Sequence, residues 1–147
     1  MQTQMLAPAA VLVAWTLIMQ AWMVATRFPA LKAANIDLRA VKPGGRGQDL
    51  EGRLPDKILW TGHNYTHLLE QPTIFYAAVV IIAITGPTKY DLILAWIYVA
   101  IRIVHSLWQA LVNRIPMRAR LFGLSSVALI LLAIRAVHLT LFAGALT

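Results

Sequence analysis

Four apolar runs, each long enough to cross a bilayer, leave this chain few folds to choose from. A hydrocarbon core takes about 20 apolar residues of helix. Inside it every backbone N–H and C=O needs an internal partner, which a helix supplies from its own segment. The first run covers 6–26 and meets no charge before Arg27. It lacks a basic leading region and its apolar stretch is too long for a cleaved signal, so it reads as a retained helix. The second covers 57–85, is fully apolar over 77–84, and stops at Gly86-Pro87. The third covers 91–112 and the fourth 121–146. Pro43-Gly44-Gly45 and Pro116 break the chain elsewhere. Four spans joined mostly by short turns predict one membrane domain over 1–147, an all-α antiparallel four-helix bundle.

Composition removes the main rivals. Only 13% of residues are charged, against about 25% in a soluble domain. Apolar residues make up 59%, which excludes a disordered chain. The absence of cysteine excludes a disulfide framework, a thiolate zinc site and a cysteine nucleophile. A formal net charge of +7 would point to nucleic acid in a soluble protein. Here the basic residues cluster between the apolar runs, so no nucleic-acid partner is expected and lipid is. The loop 27–56, with Lys57 directly after it, carries seven Lys and Arg; residues 113–120 add Arg114, Arg118 and Arg120. The positive-inside rule puts both basic loops in the cytoplasm and both termini outside.

A charge at mid-bilayer costs about 2.5–3.5 kcal/mol on insertion scales, so polar residues within the spans carry information. On the second span His63, His67 and Glu70 share an arc of roughly 60°, with Asn64 beside them. Pro72 cannot bond back to Leu68 and predicts a kink next to Glu70. On the third span Arg102, His105 and Gln109 share a similar arc. Counting residues from the span ends sets Glu70 level with His105 and one turn from Arg102. An ion pair or hydrogen bond between these helices is the expectation, and a staple that only fixes packing is its bland form. Arg135 and His138 lie one turn apart on the fourth span. One glutamate cannot neutralise two arginines, so Arg135 is expected to meet an anionic ligand or lipid headgroup, with water or a neighbouring subunit's carbonyls as the plainer alternative. Tyr65, Tyr76, Tyr90, Tyr98, Trp60, Trp96 and Trp108 read as an interfacial aromatic belt.

Arg, His, Asn and Glu gathered near one membrane face suit a zwitterionic or anionic small molecule. Arginine holds carboxylates with two parallel bonds, and glutamate takes an ammonium. A lipophilic second substrate can enter from the bilayer. The chemistry this describes is conjugation of a polar peptide thiol with an apolar electrophile, the thiolate being stabilised by an arginine and a nearby hydroxyl or imidazole. Metal or haem binding is the rival, with His63 and His67 one turn apart and Glu70 following. It is not a zincin, because Asn64 stands where that motif needs glutamate. A third class is non-enzymatic, either a structural subunit or a transporter with Glu70 as its proton-coupled carboxylate.

Two segments carry a family resemblance. One is Asn64-Tyr65-Thr66-His67-Leu68-Leu69-Glu70-Gln71-Pro72-Thr73-Ile74-Phe75-Tyr76. The other runs Trp96 to Ser106 through Arg102 and His105, then Asn113-Arg114-Ile115-Pro116-Met117-Arg118 and Phe122-Gly123. Together they resemble the bacterial branch of MAPEG, the membrane-associated proteins in eicosanoid and glutathione metabolism. The resemblance implies a homotrimer of four-helix subunits, with ligand sites between subunits, open to the cytoplasm. It implies glutathione as co-substrate and a transferase or peroxidase acting on lipophilic electrophiles. Glutathione-using members carry Arg-x3-Asn-x2-Glu on the second helix; here His63, His67 and Glu70 stand at those places. Arg102 and His105 match the family's Arg-x-x-His. Glu70 and Arg102 are then implied to bind the peptide, His67 and His105 to orient it, and Arg114 or Arg118 to stabilise the thiolate. Eicosanoid-forming members have tyrosines along the face where His105 and Gln109 stand, which argues against eicosanoid synthesis.

Overall fold

The computed structural model describes residues 1–142, which form four long helices and one short 3-10 turn. The helices are α1 (Gln2–Ala33), α2 (Asp56–Thr85), α3 (Lys89–Leu111) and α4 (Ile115–Leu141), with the 3-10 turn at Gly47–Leu50. Each helix is long and apolar enough to cross a membrane.

Their bounds depart from the expected spans where charge was read as a stop. Helix α1 runs on through Arg27 and Lys32 to Ala33. A basic side chain leaves the membrane core without leaving the helix, and at a C-terminus it complements the helix dipole. Helix α4 starts at Ile115, with Pro116 in its first turn, where a missing N–H costs nothing. Of the expected fourth span, residues 143–146 lie outside the described residues. Thr88 starts α3 by accepting from the Asp91 N–H while Asp91 accepts from the Thr88 N–H, a reciprocal cap. Gly86 ends α2 at φ +128°, a conformation open to glycine.

Helices α2 and α3 form the middle of the bundle. Helix α1 packs on both of them, and so does α4. Helix α1 buries Met5, Pro8, Leu12, Thr16 and Met19, steps of three and four that draw one stripe. The main core adds Phe75, Val79 and Ile82 from α2, Val99 from α3, and Leu129 and Leu132 from α4. Tyr98 belongs to this core, contrary to its expected place in an interfacial belt. It is fully buried and stacks on Phe75 at 4.3 Å between ring centroids. The outward faces are apolar too, with Ile74, Ile84, Val127 and Ile130 well exposed; in an integral membrane protein they face lipid. Leu31, Leu54 and Leu59 form a smaller cluster that pins the end of α1 to the start of α2. The connection 34–55 and the arginines at 114, 118 and 120 mark this as the basic end of the bundle.

Candidate functional site

The polar stripes of α2 and α3 meet in the half of the bundle towards the basic end. Arg102 is fully buried, and its Nη2 donates to the His67 carbonyl oxygen at 3.0 Å. This braces α2 one residue from Leu68, whose carbonyl Pro72 leaves without its usual helical donor. Asn64, also buried, donates to Ser106 Oγ at 2.9 Å; Trp15 of α1 donates to the same oxygen at 3.0 Å. One hydroxyl thus joins three helices.

The expected Glu70–Arg102 pair does not form. Glu70 is 61% exposed and bonds His67 Nδ1 at 2.9 Å, three residues back on its own helix. Depth along two helices had matched, but the direction in which each side chain leaves its helix had not. Arg135 is likewise corrected. Its Nε lies 3.3 Å from the buried carboxylate of Asp91, so its anion comes from the chain itself, at the end of the bundle away from the basic loops. His138 stands beside Phe142, also away from the site.

Two cavities flank His67. The smaller, about 210 Å³, is lined by His67, His105, Ile115, Arg118, Ala119 and Phe122. Helix α4 supplies the cation and the apolar groups from one face, and α2 and α3 supply the two imidazoles. The His67 and His105 rings are 5.0 Å apart, and Phe122 lies 5.4 Å from His67. The larger, about 570 Å³, is lined by His63, His67, Glu70 and Gln109, and by Arg27, Arg46 and Gly47 of α1 and the loop. That volume lies within the range of about 300–1,000 Å³ usual for small-molecule sites. A larger hollow of about 660 Å³ lies within the loop itself, around Asp37, Lys42 and Arg53, and touches none of these side chains.

A family model for MAPEG matches residues 5–138. The chain belongs to the MAPEG family. No curated protein and no solved structure matches it.

In this MAPEG chain the structure brings His67, His105 and Arg118 around one cavity, and His63, His67, Glu70 and Gln109 around the next. Arg102 and Asn64 stand behind them in the protein interior. Arg114 stays outside both cavities, its carbonyl accepting from Trp108 Nε1. His63 turns to Glu51 at 3.3 Å. Among the described residues no group of three or more His, Cys, Asp or Glu gathers as metal donors.

Buried polar atoms without a partner among the described residues concentrate here: Arg102 Nε and Nη1, both ring nitrogens of His105, Gln109 Oε1 and Asn64 Oδ1. Leaving such an atom unsatisfied costs about 1–3 kcal/mol. Those of Arg102, His105 and Gln109 follow one face of α3, where water or ligand atoms can satisfy them. Arg27 and Arg46 were missed in the sequence, where they count only as loop charge. The signal for Arg27 is Gly62. A Cβ on Gly62 would collide with the Arg27 guanidinium, and one on Gly47 would touch it at 3.0 Å. Two glycines leave the groove in which this arginine lies.

Proposed function

We propose that this MAPEG protein is a bacterial-type, glutathione-dependent transferase or peroxidase acting on lipophilic electrophiles. The observation that carries the reading is the small cavity. Its α4 wall carries Arg118 among Ile115, Ala119 and Phe122, and His67 and His105 line the rest of it, so a thiolate and an apolar electrophile can meet there. Arg118, rather than Arg114, is the thiolate-stabilising cation, since a nearby positive charge favours the ionised thiol. The peptide lies in the wider cavity. Glu70 takes its ammonium group, and Arg27 and Arg46 take its carboxylates as charge-assisted pairs. His63, Gln109 and His105 add hydrogen bonds, while Asn64 and Arg102 hold α2 in place behind them.

The subunits are antiparallel four-helix bundles assembled as a homotrimer. Glu70 supports assembly. It sits about 21 Å along α2 from Asp56, mostly exposed at the edge of the wide cavity, next to the outward-facing Leu69 and Ile74. A neighbouring copy would cover it at less cost than acyl chains. The basic loops lie in the cytoplasm and both termini outside, which opens the wide cavity to cytoplasmic glutathione.

Titration calorimetry of glutathione into the detergent-purified protein tests the reading. Saturable binding is expected, weakened about tenfold or more by Arg118→Ala, that is, by about 1.4 kcal/mol or more. No heat of binding up to millimolar glutathione refutes it.

A further inference from the structure

We propose that His67 and Glu70 form a proton-accepting dyad that deprotonates the bound thiol. The inference rests on the glutathione reading above and adds a general base to it.

Three observations converge on His67. Its ring forms part of the wall between the two cavities, since it lines both. One ring nitrogen, Nδ1, is held by Glu70 Oε2 at 2.9 Å. The backbone of the same residue is fixed by Arg102 through its carbonyl. A carboxylate on Nδ1 selects the tautomer with the proton on that nitrogen, which leaves Nε2 as a bare acceptor. No described residue hydrogen-bonds Nε2. Base and orienting carboxylate in contact are the arrangement by which a weak nucleophile is activated. His105, 5.0 Å away, does not fill this role. Neither of its nitrogens has a hydrogen-bond partner among the described residues, so none of these fixes its tautomer.

The step balances within these groups. The S–H bond breaks and a bond from Nε2 to that proton forms. The bonding pair stays on sulfur, beside the Arg118 guanidinium. The imidazolium donates its Nδ1–H to the Glu70 carboxylate. The thiolate then attacks the electrophilic carbon, whose leaving group departs with its own bonding pair. The proton passes from Nε2 to solvent through the wide cavity, which restores the base. The charged and titratable groups around His67 are Glu70 and, across the wide cavity, His63 and Tyr65 on its own helix, Arg102 and His105 on α3, Arg118 on α4, and Arg27 of α1 and Arg46 of the loop in the wide cavity. His67 is the catalytic residue and Glu70 a positioning residue.

Two measurements on the detergent-purified protein test it, with glutathione as the probe. Ultraviolet absorbance counts the thiolate formed on binding, from about pH 5 to about pH 8, where an imidazole changes charge. Calorimetry in two buffers of different ionisation enthalpy counts the protons released. In the wild type, fewer protons are released than thiolates formed, the difference remaining on His67. The thiolate declines as pH falls and His67 takes its proton from solvent instead. In His67→Asn the thiolate at neutral pH drops about tenfold or more. What remains releases its proton to buffer, and the decline with falling pH changes shape. Glu70→Gln drops it less, and Glu70→Asp recovers part of the loss. His138→Gln, at the other end of α4, changes nothing. If His67→Asn and Glu70→Gln bind glutathione with the wild-type thiolate yield and proton count, the dyad is overturned and the glutathione reading stands. A wild type that binds no glutathione overturns both.

Discussion

Arg102 enters the spanning part of α3 with no carboxylate beside it. One nitrogen bonds the His67 carbonyl and two others have no partner among the described residues. Its residue type, its stripe with His105 and Gln109, and its depth were all readable from helical spacing. Its partner was not. Helical arithmetic gives height along an axis and angle around it, but the angle between two axes is set by packing. Replacing a buried ion by an apolar side chain of similar volume is often neutral, but here a charge-assisted hydrogen bond between two helices is lost, which is worth about 1.5–3 kcal/mol. Arg102→Met should therefore lower stability by about 1–3 kcal/mol, read as a lower detergent melting temperature, without unfolding the bundle. Gly62 makes a sharper test. In Gly62→Ala the new methyl displaces the Arg27 guanidinium, the far end of a flexible chain. Stability should change by less than about 1 kcal/mol while glutathione affinity falls about tenfold. In an Arg27→Ala background the same change should cost no further affinity, as a double-mutant cycle would show.

At the scale of the element, helix existence was legible and helix ends were not. Apolar length fixed four spans because the bilayer demands it. The ends moved because Arg27, Lys32 and Pro116 each permit a helix to continue or begin. The Asp91–Arg135 pair escaped for a related reason. Asp91 looked like the border of the third span, whereas it both caps α3 and pairs with α4. Asp91→Ala removes its half of the reciprocal cap and strands Arg135. A cap alone is worth about 1 kcal/mol, and Arg135 is about a third exposed, which limits the loss of the ion pair. A destabilisation of about 1–3 kcal/mol is expected, with glutathione binding intact, because the pair lies away from both cavities. Equal loss of stability and affinity would show that the two ends of the bundle are coupled.

For the whole molecule, the distribution of charge carries two expectations. The chain contains no cysteine, so single cysteines report topology without background. Ala40→Cys in the basic connection should react only with cytoplasmic reagent, and Thr3→Cys only from outside. Native mass measurement in mild detergent should find three copies of the 16.3 kDa chain. Glu70 at the surface of one subunit is the physical ground for that expectation. The sequence exposed Glu70 as an intramembrane acid but not the side on which it emerges, since that depends on how α2 turns against α3. The site was legible in the same partial way. His67, His105 and Arg118 could be picked out by type, yet their convergence comes from three separate helices.

The Ser106 hydroxyl sets an order on how this molecule is made. Trp15 and Asn64 are synthesised and enter the membrane before it, and both depend on that oxygen for a hydrogen bond. Through the early stages of synthesis an indole N–H and an amide wait in the bilayer with no permanent acceptor. The first two helices are thus a nascent intermediate whose polar groups must be sheltered by the insertion machinery or by lipid headgroups. Arrival of α3 supplies their acceptor, so this polar tie among the first three helices closes only when the third is in place.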